Sequence, residues 1–150
     1  VTTPAGLAPD AQFRPRRGRF VPLGVALVFL VICAVVAVAM GVAGVWGVGD
    51  QLALVAFGVL VAAFLSRYAT IRATPGPDGL TVRNLMTTRT VGWDEIVDVR
   101  FPDGDPWVSL ELSDTDVLAV MAVQRVDGEE GRVEARRLAR LVMARRGVSG

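Results

Sequence analysis

The stretch FVPLGVALVFLVICAVVAVAMGVAGVWGVGDQLALVAFGVLVAAFLS, from Phe20 to Ser66, decides where this chain resides. Its only strongly polar side chains are Asp50 and Gln51. A helix needs about 20 apolar residues to cross roughly 30 Å of hydrocarbon. The run therefore holds two spans and a short turn, expected near 22–43 and 50–69. Pro22 suits the first turn of a helix, where its missing N–H is not needed. Gly41, Gly44, Gly47 and Gly49 loosen the chain near the turn.

Working outward, arginine flanks both outer ends. Arg14, Arg16, Arg17 and Arg19 precede the first span; Arg67 and Arg72 follow the second. The turn has only Asp50. Under the positive-inside rule, both ends face the cytoplasm. The expected address is the plasma membrane, multi-pass, with cytoplasmic N- and C-termini. Trp46 fits the outer interface and Tyr68 the inner one, while Arg67 reaches back toward water from a thin second span. A secretory signal cleaved near Ala37-Val38-Ala39 is the competing reading, but the apolar run continues past those residues. The small-xxx-small spacings Ala37 to Gly41 and Gly58 to Ala62 suit packing inside the hairpin. No charge sits mid-span, which argues against an ion path.

Composition excludes several chemistries. The sequence has no histidine and one cysteine, Cys33, inside the first span. Zinc sites of His and Cys, internal disulfides and histidine acid–base catalysis are thereby ruled out. Neither a G-x-S-x-G elbow nor a phosphate-cradling glycine loop occurs, so no enzyme and no cofactor are expected. Residues 72–146 carry eleven arginines against thirteen acids, a net of −2. Nucleic-acid affinity comes mainly from neutralising phosphates, so no nucleic acid is expected as a partner.

Beyond Ala73 the pattern changes. Leu80–Leu85, Thr88–Val91, Ile96–Phe101, Trp107–Leu112 and Val117–Val123 read as strands, from β-branched content and period-two alternation. Pro75–Gly79, Pro102–Pro106 and Ser113–Asp116 read as turns. Asp127 and Glu130 form a capping-box pattern. After it, Ala135, Leu138, Leu141 and Val142 make one apolar helical stripe. The expected fold is thus a membrane α-helical hairpin plus a small β-rich PH-like domain, an antiparallel curled sheet closed by a C-terminal amphipathic helix. The division is a basic cytoplasmic tail at 1–21, the hairpin at 22–69, the PH-like domain at 70–147 and a tail at 148–150.

The segments Asp78–Asn84, Trp93–Ile96 and Gly104–Val108 resemble the bacterial PH-like domain of small actinobacterial membrane proteins, some of them called low-molecular-weight protein antigens. The resemblance extends to the hairpin. It implies two N-terminal spans before a short PH-like domain, and no active site.

Several residues are candidate contacts. Many eukaryotic PH domains bind phosphoinositides beside the first strand-to-strand loop, but the matching loop here, Thr74–Gly79, has no basic residue. Arg72 and Arg83 flank it and could touch lipid phosphate, against the plainer reading of a juxtamembrane anchor and a solvated strand residue. Trp93 suits the core. Trp107 is out of phase with Val108, Leu110 and Leu112 and could face the membrane interface or a partner, or make a satellite core contact. Arg136 and Arg140 lie on a basic helix that could meet anionic lipid or simply be solvated. Asp103, Asp105, Asp114 and Asp116 are oxygen donors in two turns. Asp is also a favoured turn residue, so no metal is expected. Two functions follow as expectations. One is a membrane-anchored, non-enzymatic module that recruits or stabilises a membrane or cytoplasmic protein partner, or self-associates. The other is an anionic-lipid-binding or lipid-sensing domain.

Overall fold

The computed structural model describes residues 10–148. They form two compact units, residues 19–69 and a second made of the segments before and after them.

The first unit is a pair of helices, α1 (Arg17–Val42) and α2 (Val48–Ser66), followed by a 3-10 turn at Arg67–Thr70. Both helices are long and apolar enough to cross a membrane. Helix α1 ends in a Schellman motif. Gly44 takes φ +72, the Val45 N–H donates to the Met40 carbonyl at 3.0 Å, and the Gly44 N–H donates to Gly41 at 3.0 Å. Those bonds satisfy carbonyls that a helix end would otherwise leave open. Asp50 then accepts the Gly47 N–H at 3.1 Å and starts α2. Ala26, Cys33 and Ala37 are buried on α1, and Gly58 on α2. A β-carbon at Gly58 would stand 3.0 Å from Cys33 Cβ, so glycine permits this approach. Phe29 and Phe57 meet edge to face at 6.1 Å. Most large side chains on both helices, Val21, Leu27, Val38 and Leu60 among them, are exposed.

The second unit holds six strands and a helix: β1 (Arg72–Pro75), β2 (Gly79–Arg83), β3 (Thr88–Gly92), β4 (Ile96–Arg100), β5 (Trp107–Leu112), β6 (Val117–Gln124) and α3 (Glu129–Arg146). The expected single curled sheet is instead two antiparallel three-stranded sheets, β1-β2-β3 and β4-β5-β6. The break lies at Gly92–Glu95, where the Glu95 carboxylate and N–H both bond the Gly92 backbone and turn the chain out of pairing. Period-two alternation places Leu80, Val82, Val108, Leu110 and Val120 in the core. Trp93 is buried as expected and donates its indole N–H to the Gly76 carbonyl at 3.0 Å. Helix α3 packs on β4 and β6 and buries Ala135, Leu138, Leu141 and Val142, the stripe read from the sequence.

Three expectations need correction. The basic tail at 1–21 is not a tail throughout. Phe13 is fully buried and forms an antiparallel bridge with Ala73, so residues 10–18 belong to the β-rich unit. Burying one aromatic side chain supplies about 1.5–3 kcal/mol, enough to hold a short segment. Residues 1–9 and 149–150 lie outside the described residues.

Helix α1 starts at Arg17, five residues before the expected boundary, and Pro22 sits in its second turn. The Asp127 carboxylate sets this start, accepting the Arg16 N–H at 3.2 Å and the Arg17 N–H at 2.8 Å. Asp127 is therefore not the N-cap of α3. That place belongs to Gly128 at φ +64, a conformation glycine takes freely. Glu130 completes no capping box and pairs with Arg16 at 3.5 Å instead.

Candidate anion-binding face

Strand register assembles one polar face. Arg72 is paired with Arg83 across β1 and β2, and Arg83 with Thr88 across β2 and β3. Thr74, Thr81 and Thr90 align in the same way one step along. Most neighbours of these residues along the strands, Ala73, Leu80, Val82 and Val91, are buried, while Arg89 on β3 is exposed. The arginines and threonines therefore stand on the side away from the core.

The N-terminal segment extends both rows. Phe13 bridges Ala73 in antiparallel sense, which brings Gln12 level with Thr74 and Arg14 level with Arg72. The Gln12 amide donates to Thr74 Oγ1 at 2.6 Å, in keeping with that register. One row is then Arg14, Arg72, Arg83, Thr88, and the next is Gln12, Thr74, Thr81, Thr90. Neither contains an acid.

Like charges directly opposite on adjacent strands are destabilising, by an amount on the order of 0.2–1 kcal/mol. Most arginines of this unit escape that cost through acids. Arg89 reaches Asp116 at 2.8 Å and Asp114 at 3.7 Å, Arg100 reaches Glu111 at 2.8 Å, and Arg136 reaches Glu129 at 2.9 Å. The hydrogen bond to Asp116 holds the Arg89 pKa above its ordinary value. Among the described residues, Arg72 and Arg83 have no such partner. Arginines paired across adjacent strands on one polar face suit a phosphate or carboxylate, which guanidinium binds through paired N–H donors.

The other expected contacts are scattered. Arg16 and Arg17 offer backbone N–H groups to Asp127. Arg19 lies over the Phe20 ring at 4.5 Å. Trp46 sits in the α1–α2 turn, and its carbonyl accepts the Gln51 amide at 3.4 Å. Arg67 and Tyr68 form the 3-10 turn after α2. Trp107 is half-buried at the start of β5, beside a bulge. Arg140 is exposed on α3.

A cleft of about 320 Å³ between β4 and α3 has an apolar floor that includes Phe101 and Ala135. Its arginines are engaged already: Arg125 with Asp103 at 3.3 Å, and Arg132 with Glu129 at 3.6 Å. Three of the four turn acids, Asp103, Asp114 and Asp116, are thus paired with arginine. No group of three potential metal ligands gathers among the described residues.

Sequence reasoning missed Phe13, whose signal was a lone aromatic between polar residues in Gln12-Phe13-Arg14. It also missed Arg14 as a member of the cationic row. No local pattern could have shown that, because the row forms from three separate stretches.

Residues 71–141 match the family described as bacterial PH domain. An uncharacterized protein of Mycobacterium tuberculosis and one of Mycobacterium bovis are each 37% identical to the chain over 142 residues, covering 91% of it and 90% of the relative. The chain carries a bacterial PH domain and belongs to one family with these mycobacterial proteins. No solved structure matches it. The match covers the strands and most of α3, and the mycobacterial relatives extend the similarity across the two apolar helices.

Proposed function

We propose that this bacterial PH domain protein is a multi-pass plasma-membrane module, non-enzymatic, whose first sheet holds anionic lipid headgroups at the cytoplasmic face. The observation that carries this reading is the acid-free row Arg14, Arg72, Arg83. Covalent order supports it. Arg14 precedes α1 by three residues, and Arg72 follows the candidate span Val48–Thr70 by two. A basic residue near an anionic leaflet contributes about 1 kcal/mol, so three contribute about 3 kcal/mol, roughly a hundredfold in local affinity. The Phe13–Ala73 bridge and the Asp127 bonds also favour a hairpin over a cleaved signal. Cutting after Ala39 would detach residues 10–18 from the strands they complete.

Full-length protein in proteoliposomes tests the reading. A fluorophore on Thr88→Cys, in a Cys33→Ala background, is quenched by headgroup-linked quencher in anionic vesicles and much less in zwitterionic ones. Arg72→Glu with Arg83→Glu removes the difference. Equal quenching in both lipids would overturn the proposal.

Recruitment of a protein partner is the second reading. It is favoured by the outer edge of β3, which pairs with no other strand among the described residues.

A further inference from the structure

Two three-stranded sheets expose four edges, and an open edge is a template for pairing with another strand. Three of the four are occupied by residues of this chain. On β1, the Phe13 N–H donates to the Ala73 carbonyl at 2.8 Å, and the Ala73 N–H donates back at 3.0 Å. On β6, the Asn84 side chain imitates a strand. Its amide N–H donates to the Ala119 carbonyl at 2.8 Å, and its oxygen accepts the Met121 N–H at 3.1 Å. On β4, Arg146 donates to the Val97 carbonyl at 3.0 Å, and the Asp98 carboxylate accepts the Val99 N–H at 2.8 Å.

The fourth edge, β3, is different. Glu95 bonds the backbone of Gly92 at its end. Among the described residues, no hydrogen bond covers the outer edge of Thr88–Val91. These residues are β-branched apart from Arg89, and Thr88, Arg89 and Thr90 are exposed. Among the described residues, every sheet edge but this one is thus blunted.

We propose that the outer edge of β3 pairs antiparallel with the β3 of a second copy, joining two first sheets into one six-stranded sheet about a two-fold axis at Thr90. The inference deepens the partner-binding reading and rests on it. Self-complementarity picks this occupant. With the axis at Thr90, Thr90 faces its own copy and supplies the ladder bonds across the axis, Arg89 faces Val91, and Thr88 stands level with Gly92, whose backbone stays with Glu95, so no like charges oppose. Within the chain, Thr90 already makes a Thr–Thr hydrogen bond of this kind, to Thr81 at 3.0 Å. Arg89, the charge that would guard the edge, is held by Asp114 and Asp116. The threonine row would continue across the axis. An isologous pair of this sort closes on itself rather than growing into a fibre. Anchoring both copies in one bilayer raises their effective concentration.

The test uses full-length protein in proteoliposomes. Opposite residues on adjacent strands bring Cα atoms to about 4.5–5.5 Å, inside the range a disulfide spans. Under mild oxidation, Thr90→Cys in a Cys33→Ala background should give a homodimer. Thr81→Cys, one strand further from the axis, should not. Energy transfer between labelled copies of the otherwise unaltered chain should report the same dimer without changing β3. Thr90→Arg sets like charges against each other and should weaken association up to about fivefold. Equal cross-linking at positions 81 and 90, or no energy transfer at any lipid ratio, overturns self-pairing. In native membranes, a Thr90→Cys cross-link to a different protein overturns self-pairing but keeps the partner reading. No cross-linked product of any kind overturns both.

Discussion

The guanidinium of Arg137 lies 3.7 Å from the centroid of the Phe13 ring. Arg137 also donates to the Ala11 carbonyl at 2.9 Å and pairs with Glu134 at 2.6 Å. A side chain from α3 therefore clamps the N-terminal segment by both its ring and its backbone. Phe13→Ala should cost about 3–5 kcal/mol of stability through lost burial. Arg137→Lys, which keeps the charge but loses the flat stack, should cost about 0.5–2 kcal/mol. Thermal unfolding in nanodiscs checks both, and a Phe13→Ala protein as stable as its parent would refute the clamp.

Asp127 should be the more revealing position for the start of α1. Asp127→Ala leaves the Arg16 and Arg17 N–H groups without their acceptor and should cost about 1–2 kcal/mol, the usual worth of a lost cap. Hydrogen exchange should accelerate at residues 16–19, with amides in the middle of α1 unchanged. Asp127→Asn keeps one acceptor oxygen and should recover part of the protection.

Thr115 turns the β5–β6 hairpin at φ 68, a conformation that is an outlier for a β-branched residue. Thr115→Gly should raise stability by about 1 kcal/mol by relieving that strain. A lower denaturation midpoint would show that the Thr115 hydroxyl bond to the Asp114 carbonyl matters more.

Between the two apolar helices, Gly58→Leu should be poorly tolerated, because Cys33 Cβ and Sγ and Leu30 already stand within 3.3 Å of a β-carbon there. The expected cost is about 1–3 kcal/mol, the range for overpacking. Gly24, which has nothing nearby, should accept alanine without loss. The thermal midpoints of the two variants make the comparison.

The Arg72–Arg83 pair predicts a change of sign. In detergent without anionic lipid, Arg83→Thr should stabilise the protein by about 0.2–1 kcal/mol by removing like charges from facing positions. In anionic bilayers the same change should weaken headgroup contact, and added salt should shrink that difference. Loss of stability in both media would mean the pair is structural.

Local pattern was enough for much of this fold. The apolar runs marked α1 and α2. Alternation marked β2 to β6 within a residue or two, and the stripe Ala135, Leu138, Leu141, Val142 marked the face that α3 buries. Long-range pairing was not legible. Asp127 followed three residues later by Glu130 has the look of a cap for the helix after it, yet its carboxylate serves a helix that begins more than a hundred residues earlier. Asn84 read as part of the strand Leu80–Leu85, whereas β2 ends at Arg83 and the Asn84 side chain acts as a strand for β6. The cationic row was hidden for the same reason, since register brings Arg14, Arg72 and Arg83 level from three stretches whose local sequences share nothing. The split into two sheets depends on two bonds from Glu95, which alternation does not register.

The bond between Asp127 and Arg17 has a bearing on biosynthesis. Ribosomes make the chain from its amino end, so both greasy helices are complete long before their distant carboxylate has been polymerised. The opening segment must wait, its amides served by water, until nearly the last helix is under construction. A prematurely terminated product would thus keep a loose leader beside an unfinished sheet, giving proteases a ready mark of incompleteness.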